Sequence, residues 1–119
     1  MIPLYIGYEP REDMAYHVMI KTINQHATAP VRIFALRQDV LRSQGLYWRT
    51  HVLPYRDDTD LKPFSTEFSF SRFLVPTLMK NKGWALFIDC DFMFRGDIKE
   101  LFDLRDSKYA VMEIGRAHV

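Results

Sequence analysis

Apolar and polar positions along the chain change period several times, and each change marks an element. Leu4-Tyr5-Ile6-Gly7-Tyr8 is a short β-rich run closed by Glu9-Pro10, which predicts a strand followed by a turn. From Arg11 to Ala27 there is no Gly or Pro, and Ala15, Val18, Met19 and Ile23 recur at helical spacing. Glu12 and Asp13 in the first turn suit the positive end of the helix dipole. Ala29-Pro30 stops that helix, and Val31 to Leu36 forms a second predicted strand. Strand, helix and strand in close succession make a βαβ unit, for which parallel pairing with a right-handed crossover is the default.

A short helical piece is predicted over Asp39 to Ser43, stopped by Gly45, while Leu46 to Tyr55 fits either a strand or an irregular loop. Arg56-Asp57-Asp58-Thr59-Asp60 has the character of a solvated loop. Ser65 can cap a helix running to Asn81, with Phe64, Phe68, Phe70 and Phe73 as core and packing residues. Pro76 predicts a kink or early break in it, and Gly83 suits a left-handed cap. Trp84-Ala85-Leu86-Phe87-Ile88 is a continuous apolar run, as expected of a strand covered on both faces. Asp97 with Glu100 predicts a capping box for a helix over Ile98 to Leu104, and Tyr109 to Met112 fits a buried strand. The alternation points to an α/β fold, an open and mostly parallel sheet flanked by helices.

Composition narrows the classes. With 119 residues, 48% hydrophobic and 26% charged, the chain fits one globular domain and excludes a disordered or low-complexity one. Sixteen basic and fifteen acidic residues leave +1, so no strong field recruits nucleic acid or anionic lipid. The single cysteine, Cys90, excludes an internal disulfide framework and a multi-cysteine zinc cage and fits a reducing, cytoplasmic setting. No apolar run approaches the roughly 20 residues of a membrane span, and Met1-Ile2-Pro3 opens no signal peptide. Residues 113–119, Glu-Ile-Gly-Arg-Ala-His-Val, resemble the translation of a sequencing adaptor read into a stop codon. The expected division is therefore a native part, 1–112, and a non-native tail, 113–119.

The chemically informative stretch is Phe87-Ile88-Asp89-Cys90-Asp91, two carboxylates at i and i+2 where the most apolar strand ends. In open α/β sheets the ligand crevice lies beyond the carboxyl ends of the strands. Two anions placed together there need cationic compensation, and a hard divalent cation such as Mn²⁺ or Mg²⁺ supplies it. On spacing alone, a pair of exposed turn-capping aspartates fits equally well. Cys90 between them points away by strand alternation, as a buried small hydrophobe. His17, His26 and His51 fall in no metal-ligand pattern.

The segment Trp84 to Asp91, with the preceding Phe68-Ser69-Phe70-Ser71-Arg72-Phe73-Leu74-Val75-Pro76 and the strand Leu4 to Tyr8, resembles the nucleotide-sugar glycosyltransferases of the GT-A fold. It is most similar to bacterial glycosyltransferase family 8 members, in which an arginine-bearing helix precedes an apolar strand ending in Asp-x-Asp. The resemblance spans most of residues 1–112 and implies a truncated, Rossmann-like GT-A domain. It implies that Asp91 ligates the metal, and that Asp89 contacts the donor ribose or sugar and reaches the metal. It further implies that Arg72 holds the donor sugar or phosphate, and that Ile6, Gly7 and Tyr8 line the nucleotide base and ribose. The implied activity is transfer of a hexose from a nucleotide diphosphate sugar, such as a UDP-sugar, to a glycan or other hydroxyl acceptor in surface-glycan synthesis. The implied location is the cytoplasm, or peripherally the inner face of a membrane. The later metal-binding histidine and the acceptor segments of that family have no counterpart here. Two competing expectations stand beside it. One is a haloacid-dehalogenase-like phosphohydrolase with Asp89 as nucleophile, although Met93 holds the place where that family has Thr or Val. The other is a catalytically inactive truncated fragment whose missing strands leave an open sheet edge.

Overall fold

The computed structural model describes residues 1–47, the backbone at 51–52 and 56–57, and residues 71–114. In chain order the elements are β1 (Ile2–Gly7), α1 (Asp13–His26), β2 (Val31–Leu36), α2 (Gln38–Ser43), β3 (His51–Val52), β4 (Arg56–Asp57), α3 (Val75–Leu78), β5 (Leu86–Asp89) and α4 (Ile98–Phe102). Single 3-10 turns occupy Pro10–Glu12 and Arg72–Leu74. The fold is α/β. The main sheet runs β2-β1-β5, all parallel, from Ile2↔Val31 to Gly7↔Leu36 on one side of β1 and from Leu4↔Leu86 to Gly7↔Asp89 on the other. β3 and β4 form a separate two-residue antiparallel pair.

Side-chain alternation along β1 divides the core between the two faces of the sheet. Ile2, Leu4 and Ile6 pack with Met19 and Ile23 of α1, Ile88 and Cys90 at the end of β5, and Ile98 of α4. Tyr5 points the other way and packs with Leu36, Leu41 and Tyr47, against which Leu74, Val75, Leu78 and Met79 rest. Tyr5 also stacks on Phe34 of β2, with centroids 5.0 Å apart. Central β1 is thus buried on both faces. Its apolar run records that position.

The first βαβ unit is parallel, as its sequence predicts. Helix α1 begins at Asp13 because Pro10, which lacks an N–H, first turns the chain through a 3-10 step closed by Glu12 N–H donating to Glu9 O at 2.9 Å. Within it Met19 and Ile23 are buried, whereas Val18 is exposed. Gly45, at φ +72°, ends the turn after α2.

Of the predicted helix from Ser65 to Asn81, residues 71–78 follow a continuous helical path that stops three residues early. Ser71, the Arg72–Leu74 turn and the single turn α3 are helical there; Phe64, Ser65, Phe68 and Phe70 lie outside the described residues. Pro76 sits in the first turn of α3, where its missing N–H costs little. Lys80 and Asn81, both at φ +55°, end the helical path before Gly83 at φ +73°. Phe73 is not a core residue: it is 73% exposed. Tyr109 to Met112 is also not a buried strand. Tyr109, Val111 and Met112 are exposed and no ladder includes them, because a four-residue apolar run carries no information about a pairing partner. Of the tail, Glu113 and Ile114 are exposed and 115–119 lie outside the described residues, as do 58–60 of the polar segment. Among the described residues no helix is long and apolar enough to cross a membrane.

Candidate functional site

Three strand ends meet in one row. Gly7, the last residue of β1, lies between Leu36 of β2 and Asp89 of β5. Tyr8, Arg37 and the turn at Cys90 therefore leave the sheet on the same side, at the carboxyl ends of parallel strands, where open α/β sheets hold ligands.

Asp89 is half-buried, and that burial pushes its carboxyl pKa above the ordinary value. The positive charge of Arg72 opposes the rise, while Asp91 and Glu12 add to it. Arg72 is half-buried too, with its guanidinium carbon 5.6 Å from the Phe87 ring centroid. It follows the buried Ser71, whose hydroxyl has no hydrogen-bond partner among the described residues. Asp91 is exposed in the turn that begins at Cys90. The structure thus brings Asp89, Asp91 and Arg72 into one electrostatic neighbourhood, Arg72 arriving from a segment that precedes β5.

The three residues expected to line a nucleotide differ in what they present. Ile6 is fully buried in the α1 core, so only its backbone is near the strand ends. Gly7 is buried and paired on both sides. Tyr8 is 6% exposed, and its hydroxyl donates to Asp13 Oδ1 at 2.5 Å. That hydrogen bond is the main reason the phenol pKa is raised. Arg37 covers the Tyr8 ring at 4.1 Å from its centroid, and Tyr16 meets it edge-on at 5.2 Å. A base at Tyr8 would meet the Arg37 guanidinium first.

Two carboxylates stand in surroundings that the sequence pattern does not mark. Glu9 is fully buried and ion-paired with Arg11, and Glu12 accepts a hydrogen bond from Cys90 Sγ at 3.2 Å. A Glu-Pro dipeptide signals a turn, and nothing in that signal marks its glutamate for burial. Cys90 is fully buried, as strand alternation predicts, and its thiol pKa is pushed up to about 12, first by burial and then by the bond to Glu12. His17 is exposed and pairs with Asp13 at 3.3 Å, and His26 is exposed at the end of α1.

The metal expectation can be tested on donor chemistry. Asp89 and Asp91 offer carboxylate oxygens, which suit Mg²⁺ or Mn²⁺ rather than a soft metal. Among the described residues no group of three or more His, Cys, Asp or Glu side chains is placed to hold a metal ion. With carboxylate oxygens alone, the pair would leave such a cation to take its remaining ligands from substrate and water, as Mg²⁺ often does.

A groove of about 590 Å³ runs from this neighbourhood along β5, lined by Arg72 and Asp89 and by Trp84, Phe87, Phe92 and Phe102 among others. It supplies an apolar wall beside Asp89.

Over 109 residues, 92% of its length, the chain is 50% identical to Protein CDI of Arabidopsis thaliana. That match spans 39% of Protein CDI, so the chain covers well under half the length of the curated relative it matches. No family model matches the chain, and no solved structure matches it.

Proposed function

We propose that residues 1–112 are the donor-binding part of a metal-dependent glycosyltransferase of the GT-A fold, transferring a hexose from a nucleotide diphosphate sugar. The observation that carries this reading is the placement of Asp89 beside Gly7 at the carboxyl ends of adjacent parallel strands, with the charge of Arg72 acting on it. Asp89 and Asp91 would hold Mn²⁺ or Mg²⁺. When bound, that ion would neutralise the diphosphate as its bond to the sugar breaks. Arg72 would orient Asp89 and pair with donor phosphate or sugar hydroxyls, a task suited to a planar guanidinium. The buried backbone at Gly7 would form the floor under the nucleotide. No step requires a covalent nucleophile from this chain; leaving-group stabilisation and positioning carry the catalysis. Acceptor recognition is assigned to no residue of this chain.

The test is a thermal-shift titration with UDP and Mn²⁺ together. The expected result is a rise in Tm that requires both and is absent in Asp91→Asn. If no nucleoside diphosphate gives a metal-dependent shift, the reading fails. Release of phosphate from a small phosphomonoester, lost in Asp89→Asn, would replace it with the phosphohydrolase.

A further inference from the structure

Arg37 brings a second guanidinium to the strand ends, on the flank opposite Asp89. It follows Leu36, the last residue of β2; register sets Leu36 beside Gly7, and Gly7 beside Asp89. The residue is exposed, and its guanidinium carbon lies 4.1 Å from the centroid of the Tyr8 ring. Among the described residues no ion pair includes it. Asp13, which accepts the hydrogen bond of the Tyr8 hydroxyl, pairs with His17 instead. The bond to Asp13 raises the Tyr8 phenol pKa and burial raises that of Tyr16; the charge of Arg37 opposes both rises. This cation therefore acts on the crevice without being neutralised in it.

Sheet spacing decides what Arg37 can reach. Neighbouring strands lie about 4.8 Å apart, so the ends of β2 and β5 stand roughly 10 Å apart with Gly7 between them. A diphosphate held through a cation at Asp89 and Asp91, and by Arg72, sits on the β5 flank. Measured from there across the ribose, the part of a nucleotide that arrives at the β2 flank is its base. A guanidinium donates from every N–H and accepts nothing. It pairs with a base edge that presents a carbonyl oxygen and opposes one that presents an amino group in the same place. Uracil and cytosine differ in this way at C4, and guanine and adenine at C6.

We propose that Arg37 selects the nucleotide base, favouring one with a carbonyl on the edge turned toward β2 (uracil or guanine) over its amino counterpart (cytosine or adenine). The selection rests on the donor-binding reading above and adds to it a residue and a rule of preference. Tyr8 then serves as a positioning residue: its buried ring supports the guanidinium at the strand end, and the base meets Arg37 rather than the ring.

Calorimetric titration of the 119-residue chain with UDP, CDP, GDP and ADP, each in saturating Mn²⁺, tests it. UDP is expected to bind at least about 10-fold more tightly than CDP, and GDP than ADP. Arg37→Gln, whose amide both donates and accepts, should bring each ratio to within about 2-fold of unity. Arg37→Lys, still a donor without an acceptor, should keep the direction of the preference. Equal affinity for UDP and CDP in the unaltered chain, or a preference that Arg37→Gln leaves intact, would overturn the proposal. So would an equal loss of affinity in Arg37→Gln for all four nucleotides and for inorganic diphosphate, which would put Arg37 on phosphate. Should Arg37→Gln not fold, the NMR resonance of the Arg37 Nε–H in the unaltered chain decides: a shift with UDP and none with CDP supports the pairing, and equal shifts refute it. If none of the four nucleotides binds, the donor-binding reading fails and base selection with it; binding without base preference overturns the selection alone.

Discussion

Cys90 Sγ donates a hydrogen bond to Glu12 Oε2 at 3.2 Å across 78 residues of sequence. The contact joins the turn after β5 to the turn after β1 and shows which way the Asp89-Cys90-Asp91 segment faces. Cys90 goes into the core and Asp91 out to solvent.

Reactivity of the thiol follows from that contact. Burial first, and the Glu12 hydrogen bond second, push its pKa up to about 12, so almost no thiolate exists at neutral pH. The native protein should react with a disulfide reagent at least about 100-fold more slowly than the denatured chain, in which the thiol is ordinary. Reaction at comparable rates would show that Cys90 is not buried in solution. Glu12→Gln should leave the thiol protected, because burial is the larger cause.

The Asp89 carboxyl predicts a stability slope of definite sign. Its pKa in the folded state lies above the ordinary value, by burial first, with Asp91 and Glu12 adding to the rise. Between the ordinary and the raised value the folded state holds a proton that the unfolded state has released, so stability falls as pH rises through that window. Above the window the cost is constant. Asp89→Asn should raise Tm at neutral pH and flatten the acid-side slope. A lower Tm at neutral pH would mean that pairing with Arg72 outweighs desolvation.

Asp97 shows the opposite sign. Its Oδ2 accepts from the hydroxyl and, at 3.2 Å, the backbone N–H of Thr28, and its Oδ1 caps α4 by accepting from Lys99 N–H at 3.0 Å. These bonds, the Thr28 hydroxyl foremost, hold its pKa below the ordinary value. The stability they supply is complete above the ordinary pKa and is lost as pH falls through the lowered one. Asp97→Ala should lower Tm at neutral pH and erase this acid-side loss, as read by circular dichroism melts across the acid range.

Ile23 is the point where α1 meets the sheet, with no exposed surface. Ile23→Ala removes buried methyl groups and leaves a cavity, for an expected loss of about 2–5 kcal/mol in denaturant unfolding. Val18, on the same helix but exposed, should lose under about 0.5 kcal/mol when changed to Ala.

Lys80 and Asn81 adopt left-handed backbone at φ +55°. Lys80→Gly should therefore maintain or raise Tm, whereas glycine within α1 at exposed Lys21 should cost roughly 1 kcal/mol.

Local pattern alone determined much of this protein. The Leu4–Tyr8 run, the helical spacing of Met19 and Ile23 and the break at Ala29-Pro30 define a βαβ unit whose parallel pairing is observed. The apolar run before Asp89 placed that carboxylate at a strand end, because strand length and burial are both written in consecutive residues. Tertiary structure decided what depends on distant partners. It buried Glu9, exposed Phe73, left Tyr109 to Met112 unpaired and stacked Arg37 on Tyr8. It also set β5 at the edge of the described sheet although its sequence is that of a strand with two neighbours. Side-chain period states which residues want cover; only the arrangement of the other elements determines whether cover arrives.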